Sequence, residues 1–313
     1  MAEAAQARMG ADIGVIGGSG FYEMPGLIDA RPIELTTPYG APSSAVTIGS
    51  IEGRRVAFIA RHGKGHRILP EELPSRANIY ALKSLGVRQV IAVSAVGSLR
   101  VNIEPLHAVV PDQIIDRTTG RPGTFFGDGA VAHVGFADPF CPALSSILAD
   151  QCEASDVRTH RGGTLVVVNG PAFSTRAESK MYRQWGADII GMTATPEARL
   201  AREAELHYAS LCFATDYDVW HADEEDVSAE LVVQNLQRNI AKARDIVAAA
   251  VHAAAEAGTC GCEDALAEAL ITPRDLVPEA TRRRLGVIVE RYWGSLDDAA
   301  NAAMSAMTEG SAR

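Results

Sequence analysis

Several stretches of this chain are apolar at every position, among them Val90-Ile91-Ala92-Val93 and Leu165-Val166-Val167-Val168. A strand with one wet face alternates apolar and polar residues, so a short unbroken run reads as a strand covered on both faces. Strand-like runs recur at 13–16, 44–48, 55–60, 89–94, 108–115, 164–169, 189–192 and 209–214. Between them, 76–85, 142–152, 174–185, 196–205 and 228–257 read as helices. This alternation predicts an α/β fold: a central, mixed but mostly parallel twisted sheet flanked by helices. At 47% hydrophobic residues over 313 positions, the chain can bury a core of that size.

After Gly258 the texture changes. Pro273 and Pro278 flank short helical pieces, and 279–293 and 297–308 read as helices, the latter carrying Met304 and Met307. We therefore divide the chain into a domain over 10–258 and a helical extension over 259–313. The extension is expected to pack on the body or on a partner subunit.

Charge and cysteine usage exclude several classes. The net charge is −10, and no long basic run argues for a nucleic-acid surface. The Ala-rich polar start lacks the apolar core of a signal peptide, and no apolar run approaches the ~20 residues that span a bilayer. A soluble, cytoplasmic protein without membrane partners is the expectation. Five irregularly spaced cysteines do not make a secreted disulfide framework. Cys260-Gly261-Cys262 alone offers too few ligands for zinc, and reads as two free surface thiols; no metal is expected.

The candidate chemistry lies at strand ends, where open α/β sheets bind ligands. Gly17-Gly18-Ser19-Gly20 follows the first strand, and its N–H groups can cradle an anion. It lacks the third glycine of a dinucleotide fingerprint and has no Walker lysine. Arg61-His62 ends another strand and suits an oxyanion clamp, or a plain surface pair. The small residues Ser94-Ala95-Val96-Gly97-Ser98 leave room for a ligand against backbone N–H groups. Phe173, after a Gly-Pro turn, can stack on a base. Met192 offers an adaptable apolar surface, and Thr193 a hydroxyl near a helix start. Asp216-Tyr217-Asp218 ends an apolar run, and residues i and i+2 of a strand face one side. Two such acids suit a nitrogen heterocycle carrying an amino group: one handles a proton, the other accepts hydrogen bonds.

The order of these motifs, with Thr37-Pro38-Tyr39-Gly40, Asp112-Gln113-x-Ile115-Asp116-Arg117-Thr118 and Gly170-Pro171-x-Phe173-Ser174-x-Arg176-Ala177-Glu178 between them, resembles the S-methyl-5'-thioadenosine phosphorylases. These are a trimeric branch of the purine nucleoside phosphorylase superfamily, and the match covers roughly 13–257. The resemblance implies a single-domain nucleoside phosphorylase fold. It also implies transfer of a 5-methylthioribosyl group from adenine to inorganic phosphate, a co-substrate, with no cofactor. By the same likeness Ser19, Arg61, His62, Ser94, Ala95 and Thr193 hold phosphate, and Met192 lies against the ribose. Phe173 and Ser174 line the base pocket, Asp216 and Asp218 read adenine, and Ala229, Val232, Val233 and His133 shape the alkylthio pocket. His133 would come from a neighbouring subunit of a homotrimer.

Relatives acting on 6-oxopurines typically carry Glu at position 174 and Asn at position 216. Ser174 and Asp216 therefore favour 6-aminopurines, since a carboxylate accepts from an amino group and repels a carbonyl. Gly191, where the branch usually has Asn, and the small Ala229 depart from the pattern. They keep a 5′-deoxy- or 5′-halo-adenosine, and a 6-oxopurine nucleoside, open as substrates. A hydrolytic nucleosidase and a non-catalytic nucleoside-binding protein are the competing classes.

Overall fold

A computed structural model describes residues 10–24, 26–221, 228–254 and 260–294, with only the backbone of Ala229 and Leu231. The strands are β1 (Ile13–Gly17), β2 (Ile28–Ile33), β3 (Val46–Ile51), β4 (Arg54–Ala60), β5 (Gln89–Ser98), β6 (Ala108–Val110), β7 (Gln113–Asp116), β8 (Thr159–Arg161), β9 (Thr164–Val167), β10 (Ile189–Gly191) and β11 (His207–Asp216). The helices of the body are α1 (Ser75–Ser84), α2 (Pro142–Ala154), α3 (Arg176–Gln184), α4 (Ala194–Glu203) and α5 (Ala229–Ala253). All eleven strands join one sheet, whose main path runs β2-β3-β4-β1-β5-β10-β9-β7. β4, β1, β5 and β11 are mutually parallel, which brings their carboxyl ends to one edge.

The unbroken apolar runs have the expected cause. Ile16, Ala57, Ile59, Val90 and Ala92 enter one buried cluster, and Ile13, Val15, Val56, Phe58, Ile91 and Val93 enter another. Successive residues thus face opposite covered sides. The expected strand over 108–115 is instead two, β6 and β7, broken around Pro111, which cannot donate to a ladder. β2 and β8 were not expected, because short edge strands rich in polar residues carry no apolar run.

β5 makes the crevice. Its first half pairs with β1 through Ala92, and its end pairs antiparallel with β10 at Gly97 and Ser98. β1 and β10 therefore share one edge of β5 and diverge at Val93–Val96, while β11 occupies the other edge. β11 follows β5 from His207 to Asp216, with a register shift between Ala214 and Asp216. A bulge of this kind re-aims the side chain that follows it.

The extension packs on the body. Leu266, Ala269, Val277, Leu285, Ile288 and Val289 share a buried cluster with the residues of α1 and with Phe125. The expected helix over 279–293 is interrupted: Glu279–Leu285 and Glu290–Trp293 are separated by a 3-10 turn that starts at Gly286, with φ 43°. The expected helix over 297–308 and the domain boundary near 258 lie outside the described residues. The thiols of the C-x-C pair are not on the surface: Cys262 is buried and Cys260 half-buried, because the Gly261–Asp264 turn packs against Cys141 and its neighbours. Among the described residues, no helix is long and apolar enough to cross a membrane.

Candidate active site

The diverging strands open into a cavity of about 720 Å³. Ser19, Arg61, His62, Ser94, Ala95, Phe173, Ser174, Met192, Thr193, Asp216, Asp218, Val232 and Val233 all line it. Residues from seven separate segments of sequence converge there, as the sheet edge requires.

At one end stands Arg61, fully buried at the end of β4. It is not the free oxyanion clamp its position suggested. Nε and Nη2 donate to Glu197 Oε2 and Oε1, each at 2.9 Å, and Nη1 donates to the Val93 carbonyl at 2.9 Å. Burial opposes the Arg61 charge, but the Glu197 carboxylate outweighs it and raises the pKa. Tyr208 Oη donates to Glu197 as well, at 2.8 Å. A buried guanidinium needs such a counter-charge, so a charged partner was to be expected. The remaining Nη1 proton lies toward Ser94 Oγ at 3.5 Å, beside the glycine loop. Gly18 is needed for that approach: a Cβ there would sit 2.5 Å from the Val93 oxygen and 3.0 Å from Arg61 Nη1.

His62 also differs from a cationic clamp. Burial pushes its pKa down to about 4, so the ring is neutral at pH 7. Its Nδ1 lies 2.9 Å from the Ile68 carbonyl, which can only accept, so Nδ1 carries the proton. Nε2 is then an acceptor. Toward the cavity, a neutral imidazole of this tautomer accepts a hydrogen bond from a P–OH or sugar hydroxyl and donates none.

At the other end, Asp216 and Asp218 are both buried. Asp216 is filled by its own chain: Thr215 Oγ1 donates to Oδ2 at 2.7 Å, and the Asp218 amide to Oδ1 at 2.8 Å. Burial nonetheless raises its pKa to about 6, against those two bonds. Asp218 takes a left-handed backbone conformation, φ 51°, which Asp tolerates better than most residues. Burial raises its pKa too, opposed by the nearby Ser179 and Ser174 hydroxyls. Yet Asp218 Oδ2, Ser174 Oγ and Ser179 Oγ each lack a completed hydrogen bond. A buried carboxylate oxygen without a donor is costly unless something fills it. The Asp218 side chain is among those that line the cavity, so its carboxylate can take a ligand N–H as a donor.

Comparison with known proteins matches this geometry to a family. Residues 12–252 match the model of the phosphorylase superfamily. A protein of Chloroflexus aurantiacus called S-methyl-5'-thioadenosine phosphorylase is 56% identical over 90% of this chain and 99% of its own. A crystal structure of a methylthioadenosine phosphorylase from an antarctic soil metagenomic library superposes with TM-score 0.86 at 49% identity, over 90% of this chain and 99% of that one. This chain belongs to the S-methyl-5'-thioadenosine phosphorylase family. The methylthioadenosine phosphorylase of Schistosoma mansoni, solved in complex with adenine, is 34% identical with TM-score 0.80, over 85% of this chain and all of that one, the figure being 100%.

For a phosphorylase of this family, three features went unread in the sequence. Glu197, above, is one. The second is the rest of the α5 face: Leu236, Gln237 and Ile240 line the cavity beyond Val232 and Val233, a spacing of one helix face. That period was available in the sequence. The third is Arg121, in the long loop after β7. Its Nη1 donates to the carbonyls of Met192 and Thr195 at 2.7 and 2.9 Å, and its Nη2 to that of Asn169 at 2.8 Å. One guanidinium thereby ties together the loops that present Phe173 and Met192. His133 is absent from the cavity. It is exposed on a separate depression beside Glu268 and Ala269, whose carbonyl accepts its amide proton at 2.9 Å. The side chain of Ala229 lies outside the described residues.

Proposed function

We propose that this chain catalyses phosphorolysis of S-methyl-5'-thioadenosine, giving adenine and 5-methylthioribose 1-phosphate. The observation that carries the reading is the pairing of ends: buried, protonatable carboxyls at one end of the cavity and the Arg61 locus with the Gly18–Ser19 loop at the other. The relatives' names agree with it.

In this scheme phosphate rests on the glycine loop, Arg61, Ser94, Ala95 and Thr193. The ribose lies over Met192, and the base between Phe173 and the acids. A phosphate oxygen attacks the anomeric carbon while the glycosidic bond breaks, leaving its electron pair on N9. Asp216, with its raised pKa, delivers a proton to N7 as charge develops on the leaving adenine. Asp218 Oδ2 accepts from the exocyclic amino group. Hydrogen phosphate carries one proton more than the phosphate ester it becomes; His62 Nε2 accepts a hydrogen bond from that P–OH, and the proton passes to solvent, which reprotonates Asp216. Each proton then has an origin and a destination. Holding the two reactants together contributes up to about 7–11 kcal/mol in favourable cases.

We further infer a homotrimer in the cytosol. Its support is the position of His133, too far from its own cavity to line it, so that His133 of the partner subunit completes the 5′ end. Sedimentation tests the assembly. The reaction is tested with methylthioadenosine, 5′-deoxyadenosine, a 5′-halo analogue, adenosine and inosine, each with and without phosphate. Phosphate-dependent adenine release, fastest from methylthioadenosine, is expected. Equal rates without phosphate would mean a nucleosidase, and tight binding without turnover a binding protein.

A further inference from the structure

Far from the cavity, the C-x-C pair meets two more ligand groups. Cys141 stands at the N-terminal cap of α2, His207 opens β11, and Cys260 and Cys262 begin the extension. One ligand atom from each lies within 4.8 Å of all the others. Cys141 Sγ is 3.5 Å from both His207 Nδ1 and Cys260 Sγ, and His207 Nδ1 is 3.1 Å from Cys260 Sγ. In a tetrahedral zinc site, bonds of about 2.3 Å to sulfur and 2.1 Å to nitrogen set sulfurs ~3.8 Å apart and sulfur from nitrogen ~3.6 Å. Cys141, His207 and Cys260 stand slightly inside these separations, and Cys262 within 4.8 Å of each.

We propose that Cys141, His207, Cys260 and Cys262 form a structural zinc site that fastens the extension to the body. Soft thiolates with one imidazole in a four-ligand set select zinc over the harder divalent ions. The surroundings suit a bound ion. His207 uses Nδ1 toward the cluster and turns Nε2 to Glu263 Oε2 at 3.5 Å, the carboxylate that orients a ligating imidazole. The Leu144 amide donates to Cys141 Sγ at 3.5 Å, as amides do to metal-bound sulfur. Three of the four ligands are buried, and the four together leave zinc no open position, so the site is structural. It sits at the start of β11 while Asp216 sits at its end, roughly 30 Å away for a ten-residue strand. Loading zinc releases one proton from each cysteine still held as a thiol, and no electron is transferred.

The test uses the full chain, expressed with zinc and purified without chelators. Elemental analysis should find about one zinc per chain in the natural protein and a background amount in the Cys260→Ser/Cys262→Ser double variant. Cobalt(II) added to the metal-stripped natural protein should give the intense visible bands of tetrahedral thiolate coordination, a readout that needs no variant to fold. A strong chelator should lower the melting temperature of the natural protein and leave that of the double variant unchanged. Zinc at background in the natural protein, absence of the cobalt bands, or a disulfide among Cys141, Cys260 and Cys262 on non-reducing mass mapping would each overturn the site. None of these readouts depends on the substrate assigned above.

Discussion

At the end of the cavity proposed for phosphate, Arg61 donates from Nε and Nη2 to Glu197, and His62 donates from Nδ1 to a carbonyl. At the end proposed for the base, Asp218 Oδ2 lacks a completed hydrogen bond, with the Ser174 and Ser179 hydroxyls nearby. One end has its guanidinium and its imidazole N–H paired within the protein; the other keeps a buried carboxylate oxygen without a completed bond. The difference follows from what each must bind. Phosphate is small, symmetric and met by backbone N–H groups, so the side chains around it can serve the fold as well. Adenine is told from hypoxanthine by a single donor, and rejection of the wrong base is strongest when a buried group is left unpaired by it.

The largest effect that could break this contrast is on stability. Arg61→Ala leaves Glu197 charged, buried and without its partner, and should lower unfolding free energy by about 3–5 kcal/mol in urea titrations. Arg61→Met combined with Glu197→Gln should recover part of that loss. If Arg61→Ala instead left stability within about 0.5 kcal/mol of the natural chain, Arg61 would belong to the ligand and not to the fold.

Asp216→Asn comes next. Turnover of methylthioadenosine should drop by about 10², the usual weight of a general acid. The ratio of inosine to adenosine cleavage should rise instead in Asp218→Asn, where Asn can donate to a carbonyl. Unchanged turnover would remove the proton-donor role.

The acid also sets a pH dependence. With Asp216 raised to about 6, kcat/KM at saturating phosphate should fall as pH rises through that value, and Asp216→Asn should flatten this limb. Stability follows the same proton. The folded state holds it more tightly than the unfolded chain, so this group's contribution is present below the ordinary carboxyl range and is lost as pH rises through about 6. Chemical denaturation between pH 4 and 7 should show a shallower loss in Asp216→Asn.

The smallest effect separates phosphate from sulfate. Sulfate carries no proton at neutral pH, so the His62 Nε2 acceptor should favour phosphate. His62→Ala should narrow the ratio of their affinities by roughly 2- to 10-fold, the worth of one hydrogen bond. An unchanged ratio would mean that His62 meets the ligand in another form.

Most of the sheet could be read from the chain, because strands buried on both faces leave runs such as Val90–Val93. What escaped has physical reasons. The edge strands β2 and β8 are polar, and their pairing is tertiary. Within the cavity, the residues named from strand-end motifs converge because parallel strands share one carboxyl edge. Their protonation states were not legible. That His62 is neutral and Arg61 internally paired depends on burial and on Ile68 and Glu197, which sequence spacing does not place beside them. The same holds for Cys260-Gly261-Cys262: its companions Cys141 and His207 are distant in the chain and adjacent only after folding.

The α5 face has a consequence for how such an enzyme changes over time. Val232, Val233, Leu236, Gln237 and Ile240 lie along one side of one helix, while Arg61, His62, Asp216 and Asp218 stand on strands or just beyond them. On the placement proposed above, selection on the sugar's 5′ group can act on a few neighbouring codons without disturbing Asp216, Asp218 or the Arg61 locus. Preference and chemistry are inherited on separate parts of the molecule, and a lineage can alter the first while keeping the second.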